Sequence, residues 1–175
     1  MASGVKVLGH PVHPMLVVFP IGLFATAVIF DVLSLVTDNP LFPSVSFYMI
    51  TAGIIGGLLA AIFGLLDWLG LPGNTRAKRI GGWHGLGNLA IVIFFAISWL
   101  LRRADPNFVP STLALILSFA GILLALVTAW IGGELVYRLG VAVDEGANVN
   151  APSSLSNQPA SAKATKQPSS ARTHR

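Results

Sequence analysis

The sequence predicts an all-α integral membrane protein, in which a bundle of four transmembrane helices is followed by a disordered polar tail. Composition is the first observation: 54% of the 175 residues are hydrophobic and 10% are charged, whereas soluble domains carry about 25% charged residues. The second is a set of four apolar runs, each near the ~20 residues that cross a bilayer. The third is the short turns rich in proline, glycine or charge between them. We therefore predict a transmembrane domain over residues 8–143 and a tail over residues 144–175, which lacks the apolar content to form a core.

The first span is predicted from Pro14 to Val36. Proline suits the first turn of a helix because its missing N–H would have no partner there, whereas Pro20 lies inside the span and could bend it. Asp31 lies about 27 Å of helix rise beyond His13. This places it near the far interface, where we expect a solvated or capping carboxylate in preference to a residue of an ion path.

The second span is predicted from Ser44 to Leu69 and carries small residues on one face, which ends in a carboxylate. The members of that face are Gly53, Gly57, Ala60, Gly64 and Asp67. Small residues at steps of three and four let a neighbouring helix approach closely. Asp67 is therefore expected to point into the bundle and away from lipid.

The third span is predicted from Gly81 to Leu101, after a basic loop over residues 70–80. His84 and Asn88 are four positions apart and share a helix face. Glycines surround His84, so a partner helix could come close to its side chain.

The fourth span is predicted from Ser111 to Tyr137, again with a stripe of small residues. These are Ser118, Gly121, Ala125, Thr128 and Gly132. Glu134 lies off that stripe and four positions before Arg138, so a local salt bridge between these two is the expected arrangement, with a ligand role for Glu134 as the alternative.

Basic residues sort unequally between the two ends of the predicted bundle. One end holds Lys6, Arg76, Lys78, Arg79 and Arg138, and the other holds Arg102 and Arg103. The excess predicts that both termini are cytoplasmic. The net positive charge of the chain is therefore explained by its topology in the membrane, so we expect the protein to contact lipid and not to bind nucleic acid.

Alternation of the spans brings most of the polar residues to one mouth of the bundle: His10, His13, Asp67, His84, Asn88, Glu134 and Arg138. Two histidines on different helices could ligate haem iron, which predicts a haem b site that involves His10, His13, His84, Asp67 and Asn88. Imidazole and carboxylate also suit a divalent metal ion, with His13, His84, Asp67 and Glu134 as ligands. A proton path is a third interpretation, and histidines that only lock the helices together are a fourth.

Enzymatic chemistry is poorly supported. The chain has no cysteine, which excludes thiolate nucleophiles and iron–sulfur ligation, and it has neither a serine-centred glycine elbow nor an HExxH helix. We expect a protein that is not an enzyme.

Four motifs occur in order along the chain: Gly-His-Pro-Val-His-Pro at residues 9–14, Gly-Leu-Leu-Asp-Trp at 64–68, Trp-His-Gly at 83–85 and Trp-Ile-Gly-Gly-Glu-Leu-Val-Tyr-Arg at 130–138. Together they resemble the DUF2231 family of bacterial membrane proteins, which implies a location in a bacterial inner membrane. The resemblance implies a four-helix membrane domain without an assigned activity, of a type joined to, or encoded beside, Rieske-type or cytochrome redox proteins. It departs at Leu139, where the family's last motif has histidine, so a ligand set that includes the fourth span would lack that residue.

These observations lead to one functional hypothesis and its alternatives. We expect a non-enzymatic membrane subunit of a redox system, with a redox protein as partner and haem held by the interfacial histidines. The alternatives are a small metal-ion or solute carrier and a purely structural membrane partner.

Overall fold

The computed structural model describes residues 4–162 and is mostly helical, as predicted. A two-stranded antiparallel hairpin precedes the helices, and a π-helical turn ends the last one. The elements are β1 (Lys6–Val7), β2 (His10–Pro11), α1 (Val12–Leu16), α2 (Val18–Val36), α3 (Leu41–Leu69), α4 (Arg76–Arg102), α5 (Thr112–Gly133) and the π-helical turn Glu134–Arg138. Four helical segments, of 25, 29, 27 and 27 residues, are long and apolar enough to cross a membrane.

The first span is divided at Val17 into α1 and α2. Pro20 has no N–H to donate to the carbonyl of Leu16, and this loss interrupts the helical hydrogen-bond ladder one turn earlier. Pro20 itself is buried against α3, close to Gly56. The interruption sets α1, which carries His13, as a short separate helix at the mouth of the bundle.

The third span begins five residues earlier than predicted, so the expectation of a loop through residue 80 was wrong. Thr75 caps α4, because its Oγ1 accepts a hydrogen bond from the Lys78 N–H at 3.1 Å. This cap satisfies one of the amide groups that would otherwise lack a partner in the first turn. Lys78 then ties α4 to the end of α3: its Nζ donates to the Trp68 carbonyl at 2.7 Å, and the Trp68 indole donates to the Lys78 carbonyl at 2.9 Å.

The core runs along the centre of the bundle, where α2 and α4 meet across it. Phe24 and Phe95 stack there with ring centroids 4.0 Å apart and an interplanar angle of 4°. Each ring lies on a glycine of a neighbouring helix: a Cβ atom would come within 2.6 Å of Phe24 if placed on Gly53, and within 2.7 Å of Phe95 if placed on Gly121. The predicted small-residue faces of the second and fourth spans are therefore helix contacts, as expected.

The bundle consists of two similar halves, which sequence reasoning missed. α1 and α2 correspond to α4, and α3 corresponds to α5. Asp31 and Arg102 are 71 positions apart, and the same offset relates Phe24 to Phe95 and His13 to His84. A second constant offset relates Ala-Gly-Ile at residues 52–54 to Ala-Gly-Ile at 120–122. Buried positions of one half thus recur in the other, which is typical of membrane domains built from internal repeats.

Residues 144–162 form turns and bends without a helix or a strand. They contact the N-terminal hairpin, where Lys6 pairs with Asp144 and the Ser154 hydroxyl bonds the His10 ring at 3.3 Å. The hydrogen bond that the Lys6 ammonium donates to Asp144, together with the positive charge of that ammonium, lowers the pKa of the Asp144 carboxyl below its usual value. The rest of the predicted tail, residues 163–175, lies outside the described residues.

Candidate functional site

His13 is held at the mouth of the bundle by α3. Its ring donates the Nδ1–H to the carbonyl oxygen of Ala60 at 2.9 Å. The ring lies directly on Gly64, where an added Cβ would be 2.8 Å from Cε1. Because only glycine leaves this space, the sequence of α3 creates the seat for the imidazole.

His84 is held in the same way by α5. Its Nδ1–H donates to the carbonyl oxygen of Thr128 at 3.0 Å, and its ring lies on Gly132, where a Cβ would be 3.0 Å from Cε1. Ala60 corresponds to Thr128, and Gly64 to Gly132, by the offset that relates α3 to α5. The two histidines therefore occupy equivalent seats in the two halves.

The two imidazoles meet across the bundle. Their ring centroids are 6.4 Å apart, with an interplanar angle of 85°. A carbonyl oxygen can only accept, so each Nδ1 carries the proton in the neutral ring, and each Nε2 has the free lone pair. A backbone carbonyl on the other ring nitrogen is the usual way in which proteins fix this tautomer in metal-ligating histidines.

The two Nε2 atoms differ in their hydrogen bonds. Asn88, one turn further along α4, donates its side-chain amide to Nε2 of His84 at 3.0 Å. No partner is recorded for Nε2 of His13 among residues 4–162. His84 and Asn88, predicted to share a helix face, are therefore hydrogen-bonded to each other, and this bond covers the lone pair of His84.

Asp67 and His10 have partners in the N-terminal and C-terminal segments. Asp67 lies one turn beyond Gly64, and its Oδ1 accepts a hydrogen bond from the Val5 N–H at 3.2 Å. His10 lies in β2, is exposed, and bonds Ser154. Both residues thus help to seat the hairpin over the mouth of the bundle.

Glu134 pairs with Arg76 and not with Arg138, so the expected local salt bridge was wrong. Arg76 donates to Glu134 at 2.6 Å and joins the start of α4 to the end of α5. The packing of α4 against the π-helical turn is the physical reason, because it places the Arg76 guanidinium beside the Glu134 carboxylate. Within the turn itself the backbone hydrogen bonds span five residues, as in the 3.2 Å bond from the Leu139 N–H to the Glu134 carbonyl. Within residues 4–162, no three His, Asp or Glu side chains group as a metal site.

A second polar site lies at the other end of the core, and the expectation for Asp31 was wrong. Asp31 is not solvated, because it is fully buried and forms a bidentate salt bridge with the equally buried Arg102, with two N–O distances of 2.7 Å. Arg102 also donates to three buried hydroxyls at 3.1–3.2 Å, those of Ser46, Ser98 and Ser118. All five guanidinium N–H groups therefore have acceptors.

One signal in the sequence could have revealed this ion pair. Asp31 and Arg102 are opposite charges on spans that run in the same direction, and each follows its histidine by the same number of residues. Equal spacing puts the two side chains at the same depth. A comparison of span one with span three would have predicted that they meet.

A bundle of four helices long enough to cross a membrane, with a histidine pair at one end and a buried ion pair toward the other, defines a polytopic membrane protein. The chain belongs to the family described as "Predicted membrane protein (DUF2231)", which matches residues 9–145. The resemblance expected from its motifs is thereby confirmed. Comparisons with curated proteins and with solved structures found no match.

Proposed function

We propose that this protein is a non-enzymatic membrane subunit of a redox system, and that His13 and His84 are axial ligands for the iron of haem b. One observation carries the proposal: two imidazoles from different halves face each other, each with its Nδ1–H fixed by a backbone carbonyl. This arrangement puts the lone pair of each ring on Nε2, the atom that would bind a metal ion, and Asn88 would have to release that of His84. A haem bound there would supply one-electron transfer to a partner redox protein.

The spacing of the rings supports a shared metal centre. Two imidazoles on opposite sides of one ion, each bound through Nε2 at ~2.0–2.1 Å, have centroids about 6 Å apart. The centroids of His13 and His84 are 6.4 Å apart. The positions against which the rings lie, Gly64 on α3 and Gly132 on α5, carry no side chain that could compete for the ion.

The same glycines favour a second candidate, a small metal-ion carrier. Each ring lies directly on helix backbone, at Gly64 and Gly132, so a porphyrin would require α3 and α5 to move outward, whereas a bare ion would not. Imidazole suits zinc, copper, iron and nickel. A four-ligand site would further require Asp67 and Glu134 to leave their hydrogen bonds with Val5 and Arg76.

We further propose that the protein lies in a bacterial inner membrane with both termini in the cytoplasm. Arg76, Lys78 and Arg79 at the His end of the bundle support this orientation, because cytoplasmic loops carry an excess of basic residues. The histidine pair would then lie near the cytoplasmic surface, where a soluble or membrane-bound redox partner could reach it.

The test is the absorption spectrum of protein purified from haem-supplied cells and reduced with dithionite. Sharp visible bands that disappear in both His13→Ala and His84→Ala, with the fold retained by circular dichroism, would support ligation by this pair. His10→Ala should keep the bands, because His10 bonds Ser154 outside the pair.

Elemental analysis of the same samples separates the two candidates. Bound zinc, copper, iron or nickel without haem bands, lost in the two alanine variants, would favour the carrier. A colourless, metal-free and well-folded protein would contradict both ligand proposals and leave a structural role for the histidines.

A further inference from the structure

We infer that Asn88 makes the two histidines unequal in their availability to a metal. Its amide occupies Nε2 of His84, the nitrogen that would bind the metal. Haem iron or a bare transition-metal ion therefore binds His13 first and reaches His84 only by displacing the Asn88 amide. This inference rests on the proposed function, and it concerns the order and strength of binding at that site. Asn88 is a positioning residue here and not a ligand.

The two halves of the bundle hold their histidines by equivalent contacts. Each histidine donates Nδ1–H to a carbonyl at an equivalent position, Ala60 or Thr128, and lies on an equivalent glycine. By these contacts alone, both Nε2 atoms would be equally available. Any difference between them must come from a residue that one half has and the other lacks.

Asn88 is that residue. The offset that relates His13 to His84 relates Val17 to Asn88, and valine has no hydrogen-bond donor in its side chain. Since Nδ1 of His84 donates to the Thr128 carbonyl, Nε2 must accept in the neutral ring, and the Asn88 amide donates to it at 3.0 Å. A metal ion needs the same lone pair, so the hydrogen bond and the metal bond exclude each other.

The expected cost of displacing Asn88 follows from the size of one hydrogen bond. The net free energy that a neutral hydrogen bond typically contributes corresponds to a change of about 3- to 10-fold in the affinity for the metal. Asn88→Val, which copies the equivalent position of the other half, should therefore bind the ligand about 3- to 10-fold more tightly than the wild type.

The first measurement needs no ligand. In detergent-solubilised full-length protein with ¹⁵N-labelled histidine, assigned with His13→Ala and His84→Ala, the Nε2 resonances of His13 and His84 should differ, because that of His84 accepts a hydrogen bond from Asn88. In Asn88→Val the His84 resonance should move toward that of His13. An unchanged resonance would overturn the inference.

The second measurement is a titration with haemin and, separately, with Zn²⁺. Tighter binding of either probe by Asn88→Val and by Asn88→Ala than by the wild type supports the inference, and the second variant guards against a folding defect peculiar to valine. Asn107→Val, at the opposite end of the bundle, is the matched control and should bind as the wild type does.

The two ways of failing are distinct. If the wild type binds a probe and the Asn88 variants bind it equally or more weakly, the inference is wrong while the proposed function stands. If neither the wild type nor any variant binds either probe, the proposed function is wrong and the inference falls with it.

Discussion

Asp31→Asn is predicted to be the most destabilising conservative substitution in the bundle. The two side chains have nearly the same shape, so the change removes the charge and one acceptor without creating a cavity. Arg102 would keep its full charge at a fully buried position, with one N–H group facing an amide N–H in place of a carboxylate oxygen. Removing one partner of a buried pair costs about 3–5 kcal/mol, and we expect the loss in the free energy of unfolding to lie in that range.

The size of this effect follows from how completely Arg102 is satisfied. Its five N–H groups are divided between two carboxylate oxygens and the hydroxyls of Ser46, Ser98 and Ser118. The serines cannot replace the carboxylate, because they are already engaged and carry no charge. A protein whose total stability is only about 5–15 kcal/mol would lose a large part of it.

Equilibrium unfolding in mixed micelles, followed by tryptophan fluorescence, measures this free energy. Trp99 reports on the same end of the bundle, since it stacks on Phe47 and donates to Thr51 at 2.7 Å. Asp38→Asn is the control: Asp38 is exposed, and its substitution should change the free energy by less than about 0.5 kcal/mol. Equal effects of the two substitutions would refute the assignment of a buried ion pair.

A double substitution tests whether the penalty comes from the unpaired charge. Asp31→Leu combined with Arg102→Met removes both charges together, and such replacements are often neutral or stabilising by about 1–4 kcal/mol. The double variant should therefore be more stable than either single variant. Adding Ser46→Ala should help further, because the hydroxyl of Ser46 has Arg102 as its recorded side-chain partner.

Three further predictions test the packing, the cap of α4 and the orientation. Gly53→Ala should destabilise the bundle by about 1–3 kcal/mol through overpacking against Phe24. The control is Gly22→Ala, whose added Cβ meets no atom within 4 Å, so it should be neutral or slightly stabilising. The same unfolding assay compares the two variants, and equal losses of stability would contradict the packing of Phe24 on Gly53. Thr75→Ala should cost about 0.5–2 kcal/mol by removing the cap of α4, and no loss of stability would show that the cap is dispensable. A cytoplasmic reporter fused after Val143 should be active, and activity of a periplasmic reporter there would reverse the proposed orientation but keep the four spans.

Much of the fold could be predicted from the sequence, because the bilayer imposes strong local rules. A span needs about 20 apolar residues whatever its neighbours are, so the four helices follow from hydropathy alone. Steps of three and four between small residues identify the packed faces of the second and fourth spans, and the predicted helix contacts at Gly53 and Gly121 are confirmed. The convergence of His13 and His84 likewise follows from alternation of the spans and from the glycines around them.

The partners of the charged residues were decided by the tertiary structure. Asp31 and Arg102 each lie toward the end of a hydrophobic run, where a charge normally meets water, and only the tertiary structure shows that their side chains meet across the core and are buried together. Glu134 pairs with Arg76, 58 positions away in the sequence, although Arg138 is only four positions away, and this choice depends on how α4 packs against the end of α5. Hydropathy and the spacing of small residues are properties of one helix, so the sequence alone is enough to predict what they determine. These ion pairs join residues far apart in the sequence, so their formation depends on the positions of whole helices.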